Sequence, residues 1–149
     1  MLIKNKIKQL LIRYWIWYPL NLLRHTYDIL HWLGSGCSGV APHPIKMMVV
    51  GSCLKKFSIN DFVETGTYLG DTLGYVANSG VRCTSIELSR ELYEVASKRF
   101  KGYKNVRLVQ GDSAQRLPKL LKEINKPVLF WLDGHYSSGI TASGESHTP

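Results

Sequence analysis

The stretch Phe62-Val63-Glu64-Thr65-Gly66-Thr67-Tyr68-Leu69-Gly70-Asp71-Thr72 decides how the chain reads. A short apolar run ends in a glutamate, breaks at two glycines four residues apart, and passes into residues that suit the first turn of a helix. Strand, tight turn and helix in that order are how a doubly wound α/β fold presents a nucleotide-like ligand at its strand ends. Gly66 lets the backbone reverse where a Cβ would clash, and Gly70 lets the new helix approach strand or ligand closely. The ligand is expected on the turn itself, against Thr65, Gly66, Thr67, Tyr68, Gly70 and Thr72. Charge narrows its type. A phosphate-cradling loop wants a lysine and free N–H groups, whereas Glu64 ends this strand and Asp71 opens this helix. Carboxylates repel a pyrophosphate and attract a cation. A sulfonium nucleoside with an amino-acid tail is such a ligand.

Downstream, strands and helices alternate with short connections. Strands are predicted at Phe62–Glu64, Val81–Glu87, Val106–Gln110 and Val128–Leu132. The first helix runs from about Asp71 to Asn78, burying Leu73, Val76 and Ala77 and stopping at Gly80. A second is capped by Ser89, buries Leu92, Val95 and Ala96, and crowds Lys98, Arg99 and Lys101 at its negative end before Gly102. Pro118 is expected to open the third, with Leu117, Leu120, Leu121 and Ile124 at helical spacing. Four β units joined by crossovers imply a Rossmann-like doubly wound parallel sheet of order 3-2-1-4 with flanking helices. Glu64, Glu87, Asp112 and Asp133 then end four strands at one rim.

The motif Glu-Thr-Gly-Thr-Tyr-Leu-Gly-Asp-Thr resembles the first motif of class I S-adenosylmethionine-dependent methyltransferases, acidic-x-Gly-x-x-x-Gly, with Tyr68 where a middle glycine often stands. Ile86-Glu87, Gln110-Gly111-Asp112-Ser113 and Trp131-Leu132-Asp133-Gly134-His135-Tyr136 fall in the order of that family's later motifs, so the resemblance covers roughly residues 57 to 140. It implies S-adenosyl-L-methionine as cofactor, with Asp112 and Ser113 against the adenine and Glu64 and Gly66 at the methionine end. Glu87 also stands where a dinucleotide fold places the acid that accepts from ribose hydroxyls.

Asp133 and His135 are the candidate catalytic pair. Methyl transfer is an in-line displacement from an activated donor, so the protein must align the acceptor and, for a hydroxyl, help remove its proton. His135 has the right kind of pKa for that base. Asp133 could orient it, contact the donor's amino group, or hold a divalent cation; no later carboxylate cluster completes a metal site. The expected reaction is O-methyl transfer to a hydroxyl of a small molecule or sugar. A nicotinamide-dependent oxidoreductase is disfavoured, because the turn lacks Gly-x-Gly-x-x-Gly spacing. The family's fold continues past a fourth strand, whereas Ser137 to Pro149 holds no further strand; the expectation is a fragment with its donor half intact, and a catalytically silent fragment that binds a membrane or partner is the alternative.

The 149 residues, 44% of them hydrophobic, suffice for one domain of ordinary size. Cys37, Cys53 and Cys83 are odd in number and lack metal-ligand spacing, which points to a reducing cytoplasm. The net charge of +8 is unevenly placed: up to Asn60 there are eight cations, Lys4, Lys6, Lys8, Arg13, Arg24, Lys46, Lys55 and Lys56, against Asp28 alone. Basicity therefore belongs to an N-terminal extension, residues 1–42, ahead of a partial methyltransferase domain at residues 43–149. Two short helices are expected from Met1 to Leu33, the second starting at Pro19 with Leu20, Leu23, Tyr27 and Leu30 at helical spacing. The apolar run is too short and interrupted to span a bilayer. The helices either cover the sheet or a second subunit, or lie peripherally on an anionic membrane; nucleic acid is disfavoured, the lysines being few and forming no groove-reading motif. Gly34 to Pro42 reads as a linker, and Ile45 to Phe57 as a helix with Met47, Met48, Val50 and Leu54 available for burial.

Overall fold

A computed structural model describes residues 17–133 of the chain. They form helices α1 (Trp17–Gly34) and α2 (His43–Lys56), then β1 (Asp61–Thr65), α3 (Asp71–Ala77), β2 (Arg82–Glu87), α4 (Arg90–Arg99), β3 (Val106–Gln110), α5 (Ser113–Leu121) and β4 (Leu129–Leu132). Two compact units divide after Val50, so the break in packing falls within α2 and not at the glycine-rich stretch that precedes it. Among the described residues, no helix is long and apolar enough to cross a membrane.

In the first unit, α1 begins before Pro19, which is tolerated in the opening turn because an N–H there has no intrahelical partner. The same reasoning corrects the expected start of α2: Pro44 sits in its first turn, and the helix begins at His43. Between them the chain reverses with Gly36, Cys37 and Gly39 all at positive φ. Met47 and Val50 are buried as expected, but Met48 is exposed. Any helix ahead of Trp17 lies outside the described residues.

The second unit is an α/β Rossmann-like fold with a four-stranded parallel sheet of order β3-β2-β1-β4 and flanking helices. Register sets Phe62 beside Cys83 and Leu129, and Glu64 beside Ser85 and Trp131. The core between sheet and helices holds Phe62, Leu73, Val76, Ile86, Leu92, Ala96 and Phe100. Val95, expected inside, is exposed, because the stripe of α4 is centred on Leu92 and Ala96. The largest difference from the sequence reading is α5. It starts at Ser113, where Asp112 caps it by accepting from the Ala114 amide at 2.9 Å, and Pro118 lies inside it. An aspartate cap fixes the start, and the helix accommodates the proline, which leaves the carbonyl of exposed Ala114 without its helical partner. Of its expected stripe only Leu120 is buried, and Leu121 is exposed.

Candidate functional site

The carboxyl ends of the strands carry the site. After β1 the chain reverses through Gly66 at φ +81°, Tyr68 at +50° and Gly70 at +76°. A parallel strand feeding a helix on a short connection needs such left-handed steps, which cost a non-glycine residue roughly 1–2 kcal/mol. Tyr68 therefore occupies the position at which the resembled motif often has glycine, in a conformation that favours glycine.

Glu87 holds that strained residue in place. Its Oε2 accepts from the Tyr68 amide at 2.8 Å and its Oε1 from the Ser89 amide at 2.9 Å, so one buried carboxylate ties the turn after β1 to the turn after β2. The Gly66 amide donates to the Ile86 carbonyl at 2.9 Å and the Gly70 amide to the Thr67 carbonyl at 2.8 Å. The amides of Gly66, Tyr68 and Gly70 are thus all committed to protein acceptors, unlike those of a phosphate cradle.

A second layer lies beneath. Ser85 Oγ donates to Glu64 Oε2 at 2.6 Å and stands 2.6 Å from Thr67 Oγ1, with all three residues buried. The parallel register that opposes Glu64 and Ser85 makes this contact possible. Glu64 is 2% exposed, and burial pushes its carboxyl up to about 8, the Ser85 hydroxyl opposing and the charges of Asp133 and Glu87 reinforcing the shift. At neutral pH it is mainly protonated and adds little negative charge to the rim.

The remaining sequence-singled residues fall around these two layers. Thr65 is fully buried, and its carbonyl accepts from the Asp133 amide at 3.3 Å, which brings the end of β4 beside the turn. Asp133 itself is exposed and Thr72 is half-buried in the first turn of α3. The Gly111 amide donates to the Glu87 carbonyl at 2.9 Å, drawing the Asp112–Ser113 start of α5 to the same rim. His135 lies outside the described residues. Among those described, no group of three or more histidine, cysteine, aspartate or glutamate side chains is arranged to hold a metal ion, so the cation considered for Asp133 gains no ligand set from them.

Three residues of the site were not singled out from sequence. Ser85 lies two positions before Glu87 and so shares its face of β2, a period-two signal available in the sequence. Arg99 Nη1 donates to the Leu69 carbonyl and to Asp71 Oδ1, the latter at 2.8 Å. Phe100 packs so close to the turn that a Cβ on Gly70 would lie 2.6 Å from its Cε2. Helix packing thus demands a glycine at position 70 in addition to its left-handed backbone. Neither long-range contact leaves a local mark in the sequence.

No family model and no curated protein matches the chain. Solved structures that resemble it include the "putative caffeoyl-CoA O-methyltransferase" of Staphylococcus aureus, at 14% identity and a TM-score of 0.48 over 69% of this chain and 53% of that one. The methyltransferase domain of a bacterial CtHen1-CN resembles it at 20% identity and a TM-score of 0.41, over 45% of this chain and 39% of that one. The chain spans about half the length of the first and less of the second. The fold assignment rests on the observed strand order and not on these overlaps.

Proposed function

We propose that the second unit is the donor-binding part of an S-adenosyl-L-methionine-dependent methyltransferase acting in the cytoplasm on a hydroxyl of a small molecule or sugar. The observation that carries this reading is the turn: its Gly66, Tyr68 and Gly70 amides are spent within the protein, and the rim around it bears carboxylates. Such a rim suits a cationic adenosine ligand and penalises a pyrophosphate, which disfavours a nicotinamide-dependent oxidoreductase.

In this reading the bound donor supplies an already activated methyl group. Each oxygen of Glu87 already accepts one amide, and a carboxylate oxygen has room for a second donor such as a ribose hydroxyl. Asp112 and Ser113 would flank the adenine, Gly66, Tyr68, Gly70 and Thr72 would line the donor's other side with buried Thr65 and Thr67 supporting them, and Asp133 would meet its amino group. His135 would take the proton of the acceptor hydroxyl as the methyl carbon passes from the donor sulfur, which leaves as a neutral thioether, to that oxygen.

Calorimetric titration of the folded chain with S-adenosylhomocysteine tests the donor site. Saturable binding is expected, at least about tenfold weaker in Glu87→Ala, which loses a charge-assisted contact and the anchor of the turn. A folded chain that binds no S-adenosylhomocysteine refutes the reading, and nicotinamide binding in its place revives the oxidoreductase. Turnover with a labelled methyl donor separates an enzyme from a catalytically silent fragment.

A further inference from the structure

Helix α1 is amphipathic in the wrong direction for a helix that merely packs on its own chain. Leu20, Leu22, Leu23, Tyr27, Leu30 and Leu33 are all exposed, with Leu23 at 68%, Tyr27 at 66% and Leu30 at 63%. At 3.6 residues per turn they occupy one continuous arc of about 160°. The partly covered arc opposite carries Asn21, His25, Asp28, Ile29 and Trp32 instead, with His25 packed 6.3 Å from His43 between ring centroids. Leaving so many large apolar side chains in water costs several times the burial free energy of one leucine unless something covers them.

Charge identifies the cover. Arg24 borders the apolar arc, exposed and 3.7 Å from Asp28 on the same helix. Lys4, Lys6, Lys8 and Arg13 precede the helix in sequence, and the sequence through Val50, the end of the first unit, holds six cations to one carboxylate. A second copy laid on this face would bring two such cationic segments together, whereas an anionic surface would neutralise them. The helix is not apolar enough to cross a bilayer. We infer that the Leu20–Leu33 face of α1 lies in the plane of an anionic lipid surface, apolar arc down and cations at the headgroups. This inference is independent of the methyltransferase reading.

Co-sedimentation of the full chain with phosphatidylcholine vesicles, with and without phosphatidylserine, tests it. Binding is expected only with phosphatidylserine, weakening as salt is raised. Leu23→Gln/Leu30→Gln, which alters two exposed positions and retains every cation, should bind at least about tenfold more weakly. Circular dichroism checks that this variant folds; if it does not, Tyr27→Ser serves in its place, and failure of the unaltered chain to bind is decisive without either. Lack of binding, equal binding to both vesicles, or undiminished binding by a folded variant overturns the inference. So does light scattering that shows a dimer converted to monomer by the variant without a lipid effect, which would make the face a self-interface.

Discussion

The Tyr68 amide donates to Glu87 Oε2 at 2.8 Å, across a gap of 19 positions in sequence, and so a residue with φ +50° is held by an acid at the end of the neighbouring strand. Strain and restraint sit in the same place: the bond lies at the tip of the turn that carries the proposed ligand. A turn fixed before the ligand arrives spares the ligand the entropy of ordering it.

Replacing Tyr68 separates the strain from the restraint. Tyr68→Gly keeps the amide and relieves the left-handed backbone, at the cost of a more flexible unfolded chain, and should leave stability unchanged or raise it by up to about 1 kcal/mol. Tyr68→Val places a β-branched residue at positive φ and should cost more than about 1 kcal/mol. Urea denaturation reads both, and a destabilised glycine variant beside a neutral valine variant would contradict the account.

Gly70 has two reasons to be glycine, its φ of +76° and the ring of Phe100. Gly70→Ala should therefore cost about 2–4 kcal/mol, combining backbone strain with overpacking. In a double-mutant cycle, Phe100→Leu should recover the steric part alone, so a strictly additive pair of effects would show that the ring is not the obstacle.

Glu64 ties stability to pH. Its carboxyl is raised from the ordinary 4.5 to about 8 in the folded chain, so between those values the unfolded chain releases a proton that the folded chain keeps. Its contribution is fully present below 4.5 and is lost as pH rises toward and through about 8. The unaltered protein should lose stability relative to Glu64→Gln over that interval, with a slope on the order of 1 kcal/mol per pH unit. Thermal melts of the two proteins across the range provide the test; parallel profiles would mean that the buried carboxyl is already ionised.

The fold was legible because its signals are local. Glycine turns after apolar runs, Ser89 as a cap, and the apolar spacing in α3 fixed the order of elements, and parallel crossovers then restricted the sheet to the order observed. The start of α5 was misread because Pro118 is a strong local signal for a helix start, yet the Asp112 cap lay one turn earlier. At the site, the acids of the rim could be placed from strand ends, but the partners of Glu64 and Glu87 could not. Ser85 meets Glu64 only through strand register, and Phe100 meets Gly70 only through helix packing. Val95 and Met48 show the remaining limit: an apolar residue on the shoulder of a stripe goes in or out according to its neighbours, which periodicity does not specify.

The placement of β4 also sets an order of events. It pairs with β1, Phe62 against Leu129, although β2, β3 and three helices lie between them in the chain. As the chain leaves the ribosome, β1 can engage β2 early but must wait for β4 to cover its other side. The turn with Tyr68 can be anchored by Glu87 as soon as β2 is made, whereas Asp133 joins Thr65 only after β4 has followed. The ligand rim is thus assembled in two stages, and the slower stage waits on the longest loop closure in the sheet.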